Sequence, residues 1–456
     1  MKKILVSVAA AAIALSTTAS ALEDIKVNGQ AKLWYETDNQ GEKPVKDRSL
    51  FNQDSASGEV VFKLGMTGKQ GDVGFGATLY QGTTMGLEND VVSDVRTRAN
   101  NAVNSGQDGF TDASAHRPFF GELYFTAPIA PDTVLKFGKQ ELDTPLAFTE
   151  RWNAMPNTFD AAVAINSSIE NVTLIAAFIG QGNGGSDTFE LNAGNAGIVT
   201  KYVNGTFKAG DEFDSYYGGA YALAALYKND AMTANFWAYY INDAIESTVP
   251  TLTQKVDAYA AWLDVGMKAG DVNVKGYLAY MDHTASSELA KALDKKTDGV
   301  NGDATFAAAL SADISVSDIK IFGAASYVNE GDLPVANTAT GYKKTMLPTQ
   351  GIYTDGQYVA QPGSMAFKLS AATKLADTAL SLNVVNNTNS GSKDQVMGIN
   401  GFKAQTLETT EVYATVSQKV GAFDLMGIVM HRDMNDSATD KSVGGQYVRV
   451  VASVNF

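Results

Sequence analysis

Few side chains in this sequence are placed to do acid–base chemistry. Three histidines, His116, His283 and His431, lie far apart along 456 residues, in or beside stretches that read as loops. A catalytic constellation needs a nucleophile or an acid–base pair beside one of them, and no local signature provides it. Surface histidines are the expectation, and no catalytic residue is assigned. Cysteine is absent, which removes disulfides, thiolate metal sites and thiol nucleophiles. Asp211, Glu212 and Asp214 offer oxygen ligands to a hard cation such as Ca²⁺ or Mg²⁺. No EF-type spacing accompanies them, so a solvated acidic loop is expected, with neither a metal nor another cofactor assigned. The run Gly180-Gln181-Gly182-Asn183-Gly184-Gly185 lacks the Gly-Lys-Ser/Thr ending of a phosphate-binding loop and reads as an external connection.

The elements that would position any functional group are set by what surrounds these residues. Lys2 and Lys3, the apolar run Ile4 to Leu15 and the closing Ala19-Ser20-Ala21 form an export signal, so residues 1–21 are expected to be cleaved and the mature chain to begin at Leu22. Beyond Ala21 no stretch approaches the roughly 18 uncharged apolar residues of a membrane-spanning helix. The formal charge of -15 becomes -17 once Lys2 and Lys3 are removed, which argues against a nucleic-acid partner and favours cations nearby. The chain has 42 Gly, 19 Tyr and 21 Phe against 10 Pro, a composition suited to strands with many bends. Its length fits two or three soluble domains or one large barrel, whose polar interior needs no packed core.

Alternation of side chains points to the barrel. Val448, Val450, Ala452, Val454 and Phe456 share one face of the last strand, with Tyr447, Arg449, Ser453 and Asn455 on the other and Val451 out of pattern. Ile25, Val27, Ala31, Leu33 and Tyr35 alternate with Lys26, Asn28, Gln30, Lys32 and Glu36, and Val60, Phe62, Leu64 and Met66 alternate with Glu59, Val61, Lys63 and Thr67. A soluble sandwich shows the same period, so the connections must decide. Tight turns are expected at Gly68–Asp72, Pro128–Asp132, Ser167–Asn171, Lys228–Asp230, Lys268–Asp271, Ser315–Asp318, Leu375–Thr378 and Lys419–Gly421. Between them run long polar or Gly-rich segments, at Gly82–Arg117, Gly180–Ser215, Ile241–Gln254, His283–Gly302, Asn329–Gln361, Asn386–Thr406 and Asp433–Gly445. Short turns at one end and long loops at the other are the rhythm of an up-and-down transmembrane barrel. Counting between connections gives about 18 strands. The bilayer offers the backbone no water, so the first strand must pair with the last. A single all-β, antiparallel domain over residues 22–456 is expected. Trp34, Tyr35, Phe125, Trp237, Tyr239, Tyr280 and Phe456, near strand ends, are candidates for the interfacial girdles.

Residues Leu135 to Ala161 read LKFGKQELDTPLAFTERWNAMPNTFDA. Gly138, Gln140, Thr144-Pro145, Arg151, Pro156 and Thr158-Phe159 in this segment resemble the strand and inward-folding third loop of OprD-type outer-membrane porins, and the wider pattern is similar to the related major porins of campylobacters and their relatives. The resemblance implies an 18-stranded barrel of the bacterial outer membrane, assembled as a homotrimer, whose third loop narrows a pore. It also implies that Phe456 is part of the signal read by the barrel-assembly machinery. Expected partners are the lipid bilayer with its lipopolysaccharide, that machinery, and small hydrophilic solutes and ions.

A pore gives inward charges a purpose, since fixed charges in a narrow passage bias which ions enter. Alternation places Lys26, Lys32, Lys63, Lys136, Lys275, Lys320, Lys368, Arg449, Glu36, Glu59, Asp264, Glu411 and Asp424 inward. Most of these would be solvated wall residues with little influence, because only charges at the constriction dominate. In the third loop, Asp143, Glu150 and Arg151 would set a transverse field, or Arg151 would pin the loop to the wall by a salt bridge. Passive diffusion of small hydrophilic solutes is the expected function, with a modest cation preference from the acidic balance against a lumen that looks more basic. A surface structural or adhesive barrel with a closed lumen is the alternative.

Overall fold

The computed structural model describes residues 22–39, 49–88, 118–184, 189–191, 198–200, 213–247, 256–284, 304–340, 344–390, 406–436 and 441–456. Among these the chain forms twenty strands of one sheet. They are β1 (Glu23–Asp38), β2 (Ala56–Gln70), β3 (Val73–Glu88), β4 (Phe119–Ala130), β5 (Thr133–Gln140), β6 (Phe159–Ile169) and β7 (Val172–Gly182). Then come β8 (Phe189–Leu191), β9 (Ile198–Thr200), β10 (Asp214–Lys228), β11 (Met232–Ser247), β12 (Val256–Ala269), β13 (Val272–His283) and β14 (Thr305–Val316). The chain ends with β15 (Ile319–Val328), β16 (Ser364–Leu375), β17 (Thr378–Asn389), β18 (Leu407–Val420), β19 (Phe423–Asp436) and β20 (Lys441–Asn455). β8 and β9 are a three-residue pair beside the end of β11; the other eighteen make a closed antiparallel wall in chain order, with β7 on β10.

The seam is β1 against β20, in register from Gln30 opposite Asn455 to Asp38 opposite Tyr447. Gly29 and Phe456 exchange both backbone hydrogen bonds at 2.7 and 3.0 Å, so no edge is left unpaired there. At the opposite end from the long loops, each of the eight expected tight turns is present. Seven have two residues, one of them in the left-handed region that such a reversal demands. These are Gly71, Asp132, Asn171, Gly270, Ser317, Ala376 and Gly421, with φ between 52° and 64°. In the eighth, Asn229 accepts from the backbone of Ala231 and Met232.

Alternation sorts the wall into two environments. Leu223, Leu369, Val429 and Val450 point outward with no protein over them, which is stable only against hydrocarbon. Tyr221, Tyr240 and Tyr259 form a neighbouring row on the outside, with ring centroids 6.2 and 5.4 Å apart; Phe178 and Tyr221 (5.2 Å) and Tyr280 and Phe306 (5.0 Å) extend it. Of the expected girdle, Phe125, Tyr280 and Phe456 face outward, but Trp34, Trp237 and Tyr239 are buried inside. Period two gives only the parity of a strand position, and these three share the parity of the inward charges.

The interior is not uniformly wet. From β6 to β16 the inner face is lined with Ala161, Ala177, Ala222, Ala260, Ala279, Ala307 and Ala366, all buried. The space left by these small side chains is filled by Leu146 and Ala147 of the third loop (141–158) and by Leu333, Val335, Ala339, Leu347 and Ala360 of the seventh. The seventh loop (329–363) was expected outside with the other long connections; its described residues fold into the barrel and bury almost completely. Its apolar residues, scattered among polar ones without period, have nowhere else to leave water. Val451, the exception in the last strand, is explained the same way. It faces inward and packs with Trp34, Val61 and Tyr80 around Met155 of the third loop.

Candidate pore constriction

The third loop leaves β5 after eight residues, part of the way up the wall, so it must cross the lumen. Gln140, at the exit, donates to the Ala161 carbonyl at 2.9 Å. The loop braces itself. Thr149 and Leu142 exchange hydrogen bonds at 2.8 and 3.0 Å, and Asn157 Oδ1 accepts from the Glu150 amide at 2.7 Å. Arg151 clasps both carboxylates of the facing arm. Its Nη1 and Nη2 donate to Asp143 at 2.5 and 3.1 Å, and its Nε donates to Glu141 at 2.9 Å. Asp143 and Arg151 therefore meet within one loop rather than across an opening. Burial disfavours the Arg151 cation, but the two carboxylates outweigh it and hold its pKa above the ordinary arginine value.

Glu150 stands apart from that pair. It is fully buried where the third and seventh loops meet. Its Oε1 accepts from Asn337 Nδ2 at 2.8 Å and from the Thr340 hydroxyl, while Oε2 has no hydrogen-bond partner among the described residues. Asn337 also ties the loops through Phe148, accepting from its amide and donating to its carbonyl, both at 3.0 Å. Desolvation pushes the Glu150 pKa up from 4.5 to about 7, against the partial pull of Lys344, Thr340 and Asn337.

The seventh loop is fastened to the wall by charged groups. Glu411 on β18 accepts three consecutive backbone amides, Ile352 at 2.6 Å, Tyr353 at 2.8 Å and Thr354 at 2.7 Å. A Cβ on Gly351 would lie 2.5 Å from that carboxylate, so a larger residue there would have to push the Glu411 side chain from its three amides. Lys368 donates to the Gln350 carbonyl at 2.7 Å. Arg432 stacks on Tyr353 at 3.8 Å and donates to the Tyr358 hydroxyl at 3.0 Å. At the root of the loop His283 Nε2 lies 3.0 Å from Asp332, both buried, so this histidine is an anchor and not the surface residue expected. Lys344 binds Asp355 at 3.0 Å; burial raises the Asp355 pKa, and Lys344 opposes the rise.

The remaining expected charges lie on the inner face in several states. Arg449 is buried, 2.6 Å from the Tyr447 hydroxyl, 3.2 Å from Glu36 and over the Trp34 ring. Glu59, opposite Trp34, is equally buried. Lys275 pairs with Asp264 at 2.7 Å and Lys320 with Asp313 at 3.1 Å. Lys26, opposite Thr67, and Asp424, which accepts from Asn455 at 3.4 Å, are exposed near the tight-turn end. Lys32 reaches the Asn153 carbonyl at 3.4 Å, Lys63 lies 5.6 Å from the Tyr80 ring centre and Lys136 lies 3.9 Å from that of Tyr124. These three have no carboxylate at salt-bridge distance among the described residues. With Glu122 and Glu141 they form a partly exposed cluster of charges on the inner face beside the third loop. Phe456 is exposed on the outside, its ring over Gly29.

Glu141, Arg432 and Asn337 were missing from the sequence-derived set. Arg432 shares the inward parity of Met430 and Met434 and could have been found by alternation; Asn337 lies in an aperiodic loop that carries no such signal. His431 is on the outer face, 3.0 Å from Asp433. His116, Asp211, Glu212 and Gly185 lie outside the described residues, as does the 1–21 segment, and Asp214 opens β10.

No protein-family model matches the sequence, nor does any curated protein. Solved structures do. Pseudomonas aeruginosa OccK8 (OprE) superposes with a TM-score of 0.62 at 13% identity, covering 95% of this chain and 98% of that one. Pseudomonas aeruginosa OpdK with vanillate gives 0.61 at 11%, covering 96% and 100%. A BenF-like porin from Pseudomonas fluorescens Pf-5 gives 0.61 at 11%, again covering 96% and 100%. At the level of fold, this barrel is that of the OprD-type outer-membrane porins.

Proposed function

We propose that the chain is a porin of the bacterial outer membrane, giving small hydrophilic solutes and ions a passive route down their own gradients. The observation that carries this reading is the asymmetric interior. Two inserted loops pack against much of the wall, over the alanine lining of β6 to β16 and onto β16 to β20, while Lys32, Lys63, Lys136, Glu122 and Glu141 beside the third loop stay partly exposed. Such a section filters by width and by fixed charge. Purified protein in a planar bilayer should show stepwise single-channel currents; their absence over a range of voltages would refute the reading. The packed loops also favour a second reading, a structural or adhesive barrel with a closed lumen, and the same recording separates the two.

Ion preference follows the narrow section rather than the whole chain. The overall acidic balance, -15, favours cations, but Asp143 and Glu141 are engaged by Arg151, and among the described residues no carboxylate offsets Lys32, Lys63 and Lys136 at contact distance. We infer that these lysines favour anions and solutes bearing a carboxylate, such as the vanillate in the OpdK structure. The reversal potential in a salt gradient tests this, a cation-selective sign supporting the whole-chain reading instead. Cleavage after Ala21, a homotrimer, recognition of Phe456 by the assembly machinery and contact with lipopolysaccharide belong to the same proposal. Amino-terminal sequencing and the size of the detergent-extracted protein test the first two.

A further inference from the structure

The third and seventh loops hang from opposite parts of the wall, from β5–β6 and from β15–β16, and meet around the Glu150 carboxylate, beside the contacts of Asn337 with Phe148 and of Thr338 with Leu146. Resting on the porin reading, we propose that this junction is a proton-operated clasp: the loops stay docked when Glu150 is protonated, and loosen, widening the passage, when it ionises.

The geometry is that of a group that cannot comfortably carry charge. Glu150 is fully buried, one carboxyl oxygen is held by Asn337 and Thr340 from the other loop, and the second has no hydrogen-bond partner among the described residues. Protonation removes the need to solvate an anion there. Around it, the seventh loop contributes Lys344, already held by Asp355. Its own loop contributes Asp143 and Arg151, which engage each other. The wall contributes the uncharged Tyr216 and Tyr217, both bonded to Thr338. Among the described residues no cation is thus dedicated to Glu150.

The sign follows from linkage. A carboxyl whose pKa is about 7 when docked and 4.5 when free stabilises docking fully below 4.5 and loses that contribution as pH rises through 7. The docked-to-undocked ratio should fall on the order of twenty-five-fold between pH 5.5 and pH 8.

Hydrogen exchange over residues 335–340, corrected for intrinsic rates, reads docking directly. The native barrel should lose protection from pH 5.5 to pH 8, and Glu150→Gln should keep it at both. Native protection independent of pH, or a pH response lost in His283→Asn but retained in Glu150→Gln, would overturn the clasp. Because His283 touches Asp332 at the root of the same loop, that variant is the control. Bilayer recordings should show larger conductance at pH 8 in native protein only. A barrel that conducts nothing refutes the porin reading, while the exchange result still decides the clasp.

Discussion

Removing the Glu411 carboxylate should release the 350–358 stretch of the seventh loop from the wall. Glu411 is completely buried and accepts three backbone amides at 2.6 to 2.8 Å. Hydrogen bonds to a charged group contribute about 1.5–3 kcal/mol each, and a lost acceptor strands its donors in a dry site. Three bonds sharing one acceptor do not add fully. A loss of about 4 kcal/mol for Glu411→Ala is therefore expected, about a thousandfold in the local opening equilibrium. Lys368 to Gln350 and Lys344 to Ile352 survive, so the loop should fray rather than leave the barrel. Hydrogen exchange at Ile352, Tyr353 and Thr354 should accelerate accordingly, with Glu411→Gln intermediate because its amide oxygen still accepts. If protection in Glu411→Ala equals that of the native protein, the carboxylate is not what holds this loop and the reasoning fails.

Lys63→Glu should move the reversal potential toward cations, and an unchanged potential would place the narrow section elsewhere. Arg151→Ala should shift selectivity the same way by freeing Asp143 and Glu141; because Arg151 is half exposed, the melting temperature should barely change. Ala222→Phe should overfill the space taken by the inserted loops, costing about 1–3 kcal/mol. Its conductance should rise while heat-modifiable gel migration, a measure of the wall, stays native. Gly29→Leu should displace the Phe456 ring, which occupies the place a Cβ would take, and slow closure of the seam, read as delayed appearance of the folded band.

The wall was legible because its determinants are local. A period of two places Lys63 inward and Phe62 outward from neighbouring residues alone, and two-residue turns announce themselves by Gly71-Asp72 or Gly421. The same period found the inward charges but not what each one does. Arg449 and Lys63 have the same parity, yet one is buried against Glu36 and the other is partly exposed beside the Tyr80 ring. Nor did parity distinguish Trp34, packed under the third loop, from an aromatic of the membrane girdle.

By itself the sequence determined an eighteen-stranded wall, its outward apolar face and its closure, since each follows from neighbouring side chains and from a backbone that hydrocarbon leaves unsatisfied. Only the tertiary structure decided that the seventh loop folds inside and that Glu150 meets Asn337. That contact joins positions 187 residues apart, and it depends on which aperiodic apolar residues fit the space above a lining of alanines. Close packing of that kind is a property of the assembled volume, and no single segment encodes it.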